Sequence, residues 1–397
     1  MSVATLLGNR NFLGLITANT VLGSAFPIQL VLGGLTGLML APSAALATLP
    51  ASLQTLAGLL AAAPVSLLMG RLGRRAGFAL GAGLTGLGAV AAVRALYTAD
   101  FVLLCAAHLL FGAGWAAFQY FRFAAAEVVA RDWRPVAISL MLSSLLVAAL
   151  VGPQVFIGAR DLLAPIPFAG AYAAVGGIAL LGVLPLALVR MPRPARPLRT
   201  PRTAGRLAAL SALRRPPVRR AVSMAAVSQG VMVFLMVPTP IAILACGFSE
   251  DMASDVIRWH IVAMFAPSFF TGFLIKRFGA ERIAAAGLVL LIAAAGSAAH
   301  GITALHFYGA LIVLGVGWNF GFISATSMLE AAITEEEKAA VQGANDTLIA
   351  LVATLAAFAS GPVISGAGWG ALPLLSGAIV AVALGVFLMG RPRAARA

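Results

Sequence analysis

The chain has 397 residues, 61% of them hydrophobic and only 10% charged. A soluble domain carries roughly half apolar and about a quarter charged residues, so this composition excludes a soluble protein and fits a chain that crosses a bilayer repeatedly. The net charge of +14 comes from 27 Lys and Arg against 13 Asp and Glu; these cations sit in short loops between apolar runs, which points to membrane topology and not to nucleic acid.

Apolar runs divided by charge and turn signals predict twelve spans. The first half reads 11–38, 43–69, 77–97, 101–126, 136–158 and 166–189. The second reads 221–246, 256–275, 283–303, 306–329, 340–363 and 369–390. The expected organisation is a six-helix bundle over 1–190, an Arg- and Pro-rich cytoplasmic linker over 191–220 and a second six-helix bundle over 221–397. Arg10 precedes about 28 largely apolar residues, too long for the core of a cleaved signal, so the first span is expected to stay as an uncleaved helix. With the N-terminus inside, 23 Lys and Arg fall on the inner side, and Arg94, Arg160 and Arg258 on the outer. Positive charge is retained inside, which places both termini in the cytoplasm.

The halves repeat. Gly73 answers to Gly279 at an offset of 206 residues, Gly112, Gly114 and Trp115 to Gly315, Gly317 and Trp318 at 203, Glu127 to Glu330 at 203, and Gly152-Pro153 to Gly361-Pro362 at 209. Matches at a near-constant offset indicate duplication of a six-helix unit.

The chemistry-bearing pattern lies on the seventh and eighth spans. Met232-x-x-x-Met236 and His260-x-x-x-Met264 each place two side chains on one helix face, and each is the only pattern of its kind in the chain. Three thioethers and one imidazole carry no negative charge. They suit soft Cu(I) better than the oxygen-seeking Mg²⁺ or Ca²⁺, and an intramembrane His is costly without a purpose. Pro238 and Pro240 disturb the seventh helix just beyond Met236, as in the broken helices of transporter sites. Cys246, Met224 and Met252 are the auxiliary metal candidates. Glu250, Asp251 and Asp255 flank the proposed entrance. Cys105 reads as a small buried hydrophobe, and His108 and His300 have no spaced partner. Arg122, Glu127 and Glu330 are expected to form an ion-pair network with a gating role. No nucleotide-binding, zinc-protease or nucleophile-elbow pattern occurs, so the chain does not read as an enzyme.

The twelve-span duplication resembles the major facilitator superfamily. That family's loop signature between helices two and three, Gly-x-x-x-Asp-Arg-x-Gly-Arg-Arg/Lys, is matched here by Arg71, Gly73, Arg74 and Arg75, while Gly70 stands where the Asp is usual. In the second half Gly272, Arg277 and Gly279 match and Lys276 replaces the acid. The resemblance implies an all-α integral membrane fold of two pseudo-symmetric bundles working by alternating access, with Arg71, Arg74, Arg75 and Arg277 among the gating residues. The Met and His pairs on helices seven and eight look like those of CcoA-type bacterial copper importers. That resemblance implies Met232, Met236, His260 and Met264 as copper ligands. It also implies copper as cargo with no resident cofactor, the bacterial cytoplasmic membrane as location, and a copper chaperone or cytochrome oxidase assembly factors as partners besides the lipid bilayer. Two other readings stand beside it: an organic-solute or drug transporter of the same fold, with the Met residues as pocket lining, and a non-transporting assembly factor or copper sensor.

Overall fold

The computed structural model describes residues 8–130, 134–191 and 211–389. Most of the linker expected at 191–220, together with Arg131, Arg391, Arg393 and Arg396, lies outside the described residues. Every described element is helical, apart from turns and one short 3-10 segment at Ala44–Leu46. The reason is solvent: in hydrocarbon the backbone must satisfy its own polar groups, and a helix does so within one segment.

In chain order the first half comprises α1 (Arg10–Gly23), α2 (Ala25–Leu40), α3 (Leu49–Leu72), α4 (Arg74–Thr98), α5 (Phe101–Phe118), α6 (Phe121–Glu127), α7 (Arg134–Ala159) and α8 (Ala169–Leu188). The second comprises α9 (Pro216–Met236), α10 (Thr239–Ala245), α11 (Glu250–Phe265), α12 (Ser268–Phe278), α13 (Ala280–His300), α14 (Ala304–Ala332), α15 (Glu335–Ala367) and α16 (Ala371–Met389). The expected spans one, four, seven and eight are each a pair of helices interrupted mid-span. Among the described residues, eleven segments are long and apolar enough to cross a membrane. Within the fifth span, Ser143–Ala159 is a shorter apolar stretch.

Local chemistry sets the ends. Asn9 Oδ1 accepts from the Asn11 and Phe12 amides and caps α1. Asp100 caps α5 through Leu103 N, and Thr334 with Glu337 forms a capping box on α15. Gly73 and Gly279 join α3 to α4 and α12 to α13 with nearly the same backbone, φ 91° and ψ 162° against φ 86° and ψ 147°. A side chain would be strained there, and the shared geometry makes the duplication visible in the coordinates.

The packing divides the chain into two compact units: Met1–Leu198 with Val237–Arg258, and Arg199–Met236 with Trp259–Ala397. The sequence-based boundaries put 237–258 with the second half. Here that segment packs within the first unit, because Pro238 and Pro240 break the seventh span and turn α10 so that Pro240 and Ile241 pack at Gly34 on α2. Arg160, after α7, then pairs with Glu250 at 3.4 Å and with Asp251. The second half also starts earlier than expected, since α9 begins at Pro216.

In the first unit, Phe12, Leu15, Leu22, Phe78, Phe121 and Met141 centre a buried apolar core. In the second, Val218, Ala221, Leu329 and Val341 centre a smaller one.

Candidate functional site

The expected metal ligands are all inside the protein: Met232 is 3% exposed, Met236 6%, His260 0% and Met264 8%. Met232 and Met236 share a face of α9. His260 and Met264 share a face of α11, which lies close against α14 at Gly315. The His260 Nδ1–H donates to the Leu311 carbonyl at 2.6 Å, which leaves Nε2 as the lone-pair nitrogen. Nε2 is buried with no hydrogen-bond partner among the described residues. Asn319 braces the break after α11: its amide nitrogen donates to the Met264 carbonyl and to Ser268 Oγ, both at 2.7 Å.

Among the described residues, no cluster of three or more His, Cys, Asp or Glu side chains is placed to hold a metal; a soft ion here would depend on the thioethers. Of the auxiliary positions, Met224 is buried beside Gly321, which is packing. Cys246 and Met252 are half-buried in and after the turn between α10 and α11. Partial burial pushes the Cys246 thiol up.

The expected gating network is corrected in its partners. Glu127 pairs with Arg74, at 3.1 Å to Nε and 2.8 Å to Nη2, and not with Arg122. Glu330 is exposed and makes no ion pair among the described residues, because Ala280 stands where the repeat would place the counterpart of Arg74. Arg71 at the end of α3 and Arg75 at the start of α4 are exposed on either side of Gly73, and Arg277 lies over the Phe278 ring. The second unit has pairs that the sequence reading missed: Arg220 with Glu281 at 2.9 Å and Arg215 with Glu337 at 2.7 Å. Arg220 and Glu281 line a cavity of about 780 Å³ at the loop end of that unit.

Arg122 belongs to a different constellation. It extends from α6 and stacks on Phe123 at 4.9 Å, and its Nε is buried without a partner among the described residues. With Asn19, Trp115 and Gln119 it lines a cavity of about 20 Å³ inside the first unit, room for about one water. Trp115 stacks on Phe26 with centroids 4.2 Å apart and planes 15° apart, while Asn19 is held by Ser144 Oγ and the Met141 carbonyl. The second unit repeats the motif. Trp318 stacks on Phe322 at 4.9 Å and donates from Nε1 to Gln229 Oε1 at 2.8 Å. Each half thus carries a flat indole beside a primary amide, with one guanidinium N–H unsatisfied in the first. The repeat of Gly-x-Gly-Trp could have signalled this face; the thioether pattern drew the reading elsewhere.

No family model matches the chain. It is 39% identical over 375 residues to the riboflavin transporter RfnT of Brucella anthropi, covering 94% of each chain. It is 30% identical over 386 residues to YdeG of Bacillus subtilis, an uncharacterized transporter of the major facilitator type, covering 94% of this chain and 89% of that one. The chain belongs to the major facilitator superfamily. Solved structures of the superfamily fold agree: a mutant of the nucleoside transporter NupG has a TM-score of 0.78 at 14% identity, covering 96% of this chain and 100% of that one. The xylose transporter XylE of E. coli gives 0.72 at 13%, covering 96% and 98%. This superfamily member is therefore a multi-pass membrane transporter of bacterial type. The resemblance to copper importers finds no support among these relatives.

Proposed function

We propose that this protein carries a planar, hydrogen-bonding organic solute across the bacterial cytoplasmic membrane, and that riboflavin is the first cargo to test. The observation that carries this reading is the 39% identity, over nearly the full length of both chains, to a transporter named for riboflavin. The chemistry of the two halves supports it. An indole face recognises a flat heterocycle by stacking, and amide and guanidinium groups recognise its carbonyl and ring-nitrogen edge. Trp115, Gln119 and Arg122 offer this in the first unit and Trp318 with Gln229 in the second. The loop charge puts both termini inside, and the cycle is alternating access without chemistry on the cargo.

Copper(I) import is the second reading, kept by one observation: His260 presents a buried, unpartnered Nε2 while Nδ1 is fixed by a carbonyl, the arrangement a metal-binding imidazole adopts. One experiment separates the two. Purified protein in proteoliposomes is offered radiolabelled riboflavin in one set and radioactive copper, held as Cu(I), in another. The organic-solute reading expects riboflavin to accumulate well above empty vesicles, with the signal lost in Trp115→Ala and retained in Met232→Leu and Met236→Leu. Copper accumulation that those two Met variants abolish, with no riboflavin uptake, reverses the assignment. Uptake of neither cargo rejects both riboflavin and copper and turns the search to other planar organic solutes.

A further inference from the structure

Within the first unit, five buried polar side chains form one continuous chain across four helices. Gln54 on α3 donates from Nε2 to Gln29 Oε1 at 3.0 Å. That turns Gln54 Oε1 toward His108 Nδ1 on α5, 2.9 Å away. His108 Nε2 is 2.9 Å from the Tyr172 hydroxyl on α8, and Tyr172 is 2.9 Å from Thr36 Oγ1 on α2. Thr36 in turn lies 2.7 Å from the Leu32 carbonyl. Gln29 is 3% exposed, Gln54 8%, and Thr36, His108 and Tyr172 0%. Phe111 meets the His108 ring edge-on and stacks on Tyr172, so the ring cannot swing away.

The direction of these bonds is constrained. An amide oxygen only accepts, so His108 Nδ1 carries a proton. Two arrangements then satisfy the rest. In one, Thr36 donates to Tyr172 and Tyr172 donates to a bare Nε2, which makes His108 neutral. In the other, a protonated Nε2 donates to Tyr172, Tyr172 donates to Thr36 and Thr36 donates to the Leu32 carbonyl, which makes His108 an imidazolium. The Leu32 carbonyl gives the last hydroxyl a place to turn, so the added proton leaves no donor unsatisfied. Buried polar groups that lack such a partner are strongly disfavoured.

We propose that His108 is a proton-binding site of this carrier, loaded through Thr36 and Tyr172. A proton arriving at Thr36 Oγ1 displaces the Thr36 hydrogen to the Tyr172 oxygen, and the Tyr172 hydrogen passes to His108 Nε2. Two O–H bonds break, two O–H bonds and one N–H bond form, and the new Thr36 hydroxyl turns to the Leu32 carbonyl to give the second arrangement. Thr36 is the entry because the exposed residues 38 and 39 lie within one turn of it and the exposed segment 42–46 begins about two turns on. No competing charge faces the ring. Neither α2 nor α8 contains Asp, Glu, Lys or Arg. On α3 the one charged residue is Arg71, near the far end, and α4 carries Arg74, Arg75 and Arg94 only toward its ends, with Tyr97 beyond. Apart from its cap, Asp100, α5 adds only the buried thiol of Cys105 as a titratable neighbour. A carrier that takes up a proton inside one half has the element needed to link its cycle to a proton gradient. This inference rests on the chain being a transporter, and not on riboflavin being its cargo.

The test is ¹⁵N NMR of the full-length protein, labelled at its four histidines and reconstituted in lipid, from pH 5 to pH 8. His108→Gln assigns the signal. The expected result is a neutral ring with the proton on Nδ1 at high pH that gains a second N–H as pH falls. Thr36→Val removes the acceptor that the charged arrangement needs, and should cut the protonated fraction about tenfold at a given pH; Tyr172→Phe should do at least as much, and Thr36→Ser should leave it unchanged. A His108 Nε2 that stays bare throughout, or a titration that Thr36→Val and Tyr172→Phe leave in place, overturns the proposal. Because no transport is measured, failure of the riboflavin reading would leave this result untouched.

Discussion

Gln54 and His260 are structural counterparts, 206 residues apart, and each lends its backbone carbonyl to the same close approach. A methyl group added at Gly112 would fall on the Gln54 carbonyl oxygen, and one added at Gly315 would sit 2.7 Å from the His260 carbonyl oxygen. Both glycines lie inside long helices, α5 and α14, where a small residue lets two backbones come together.

Gly112→Ala and Gly315→Ala should therefore each destabilise the protein, by about 1–3 kcal/mol for an overpacked interface, despite the better helix propensity of alanine. Gly83→Ala, in α4 with nothing within 4 Å of the new carbon, should instead be neutral or gain up to about 1 kcal/mol. Thermal unfolding in detergent for the three variants checks this. Equal behaviour of Gly112→Ala and Gly83→Ala would show that the contact has no energetic weight.

Much of this fold is legible in the sequence because hydrocarbon leaves the backbone few choices. Twelve apolar runs, Gly73 echoing Gly279 and Trp115 echoing Trp318 all survive into three dimensions. The mid-span breaks at Ser24, Gln119, Pro238 and Pro267 are less legible: only two involve proline, and the others depend on packing. The partner of Glu127 was not readable from spacing, since Arg74 and Arg122 lie 53 and 5 residues away and only folding chooses between them. His108 was passed over for the same reason. Its partners Gln54, Tyr172 and Thr36 come from three other helices, and no local pattern announces them. A different signal was available, because polar residues inside apolar spans are costly and few, and Gln29, Gln54, His108 and Asn319 all belong to that set.

Arg122 is expected to act on cargo and not on stability. It has no carboxylate partner among the described residues, and its Nε is buried beside Trp115 and Gln119. Removing a charged hydrogen bond to a ligand costs about 1.5–3 kcal/mol, so Arg122→Ala should raise the KM for riboflavin by about ten- to a hundredfold. Arg122→Lys should recover only part of it, because the ammonium lacks the planar fork. Unchanged KM with unchanged unfolding would remove Arg122 from the site.

Arg160 should govern the dynamics of 237–258. Its guanidinium holds Glu250 and Asp251 at the start of α11, within the unit that also contains α10. These acids are 37% and 48% exposed, so the pairs are screened and worth about 1 kcal/mol or less. Arg160→Ala should speed amide hydrogen exchange over residues 246–258 severalfold while leaving α5 unchanged, and raising the salt concentration should narrow the difference. Exchange that is uniform along the chain would place the restraint elsewhere.

The Arg74–Glu127 pair offers a test of the duplication itself. Arg74 Nε and Nη2 both donate to Glu127 Oε1, bridging α4 to the end of α6, with Arg74 also over the Tyr120 ring. With Glu127 39% exposed, its coupling energy in a double-mutant cycle should be about 0.3–1 kcal/mol. In the second half Glu330 is retained, but Ala280 occupies the position of the arginine, directly after Gly279 as Arg74 directly follows Gly73. Ala280→Arg should therefore restore the missing pair and stabilise the protein by about 0.3–1 kcal/mol, and Glu330→Gln in that background should abolish the gain. If Ala280→Arg stabilises equally with glutamine at 330, the new side chain acts by packing alone and the repeat does not extend to this ion pair.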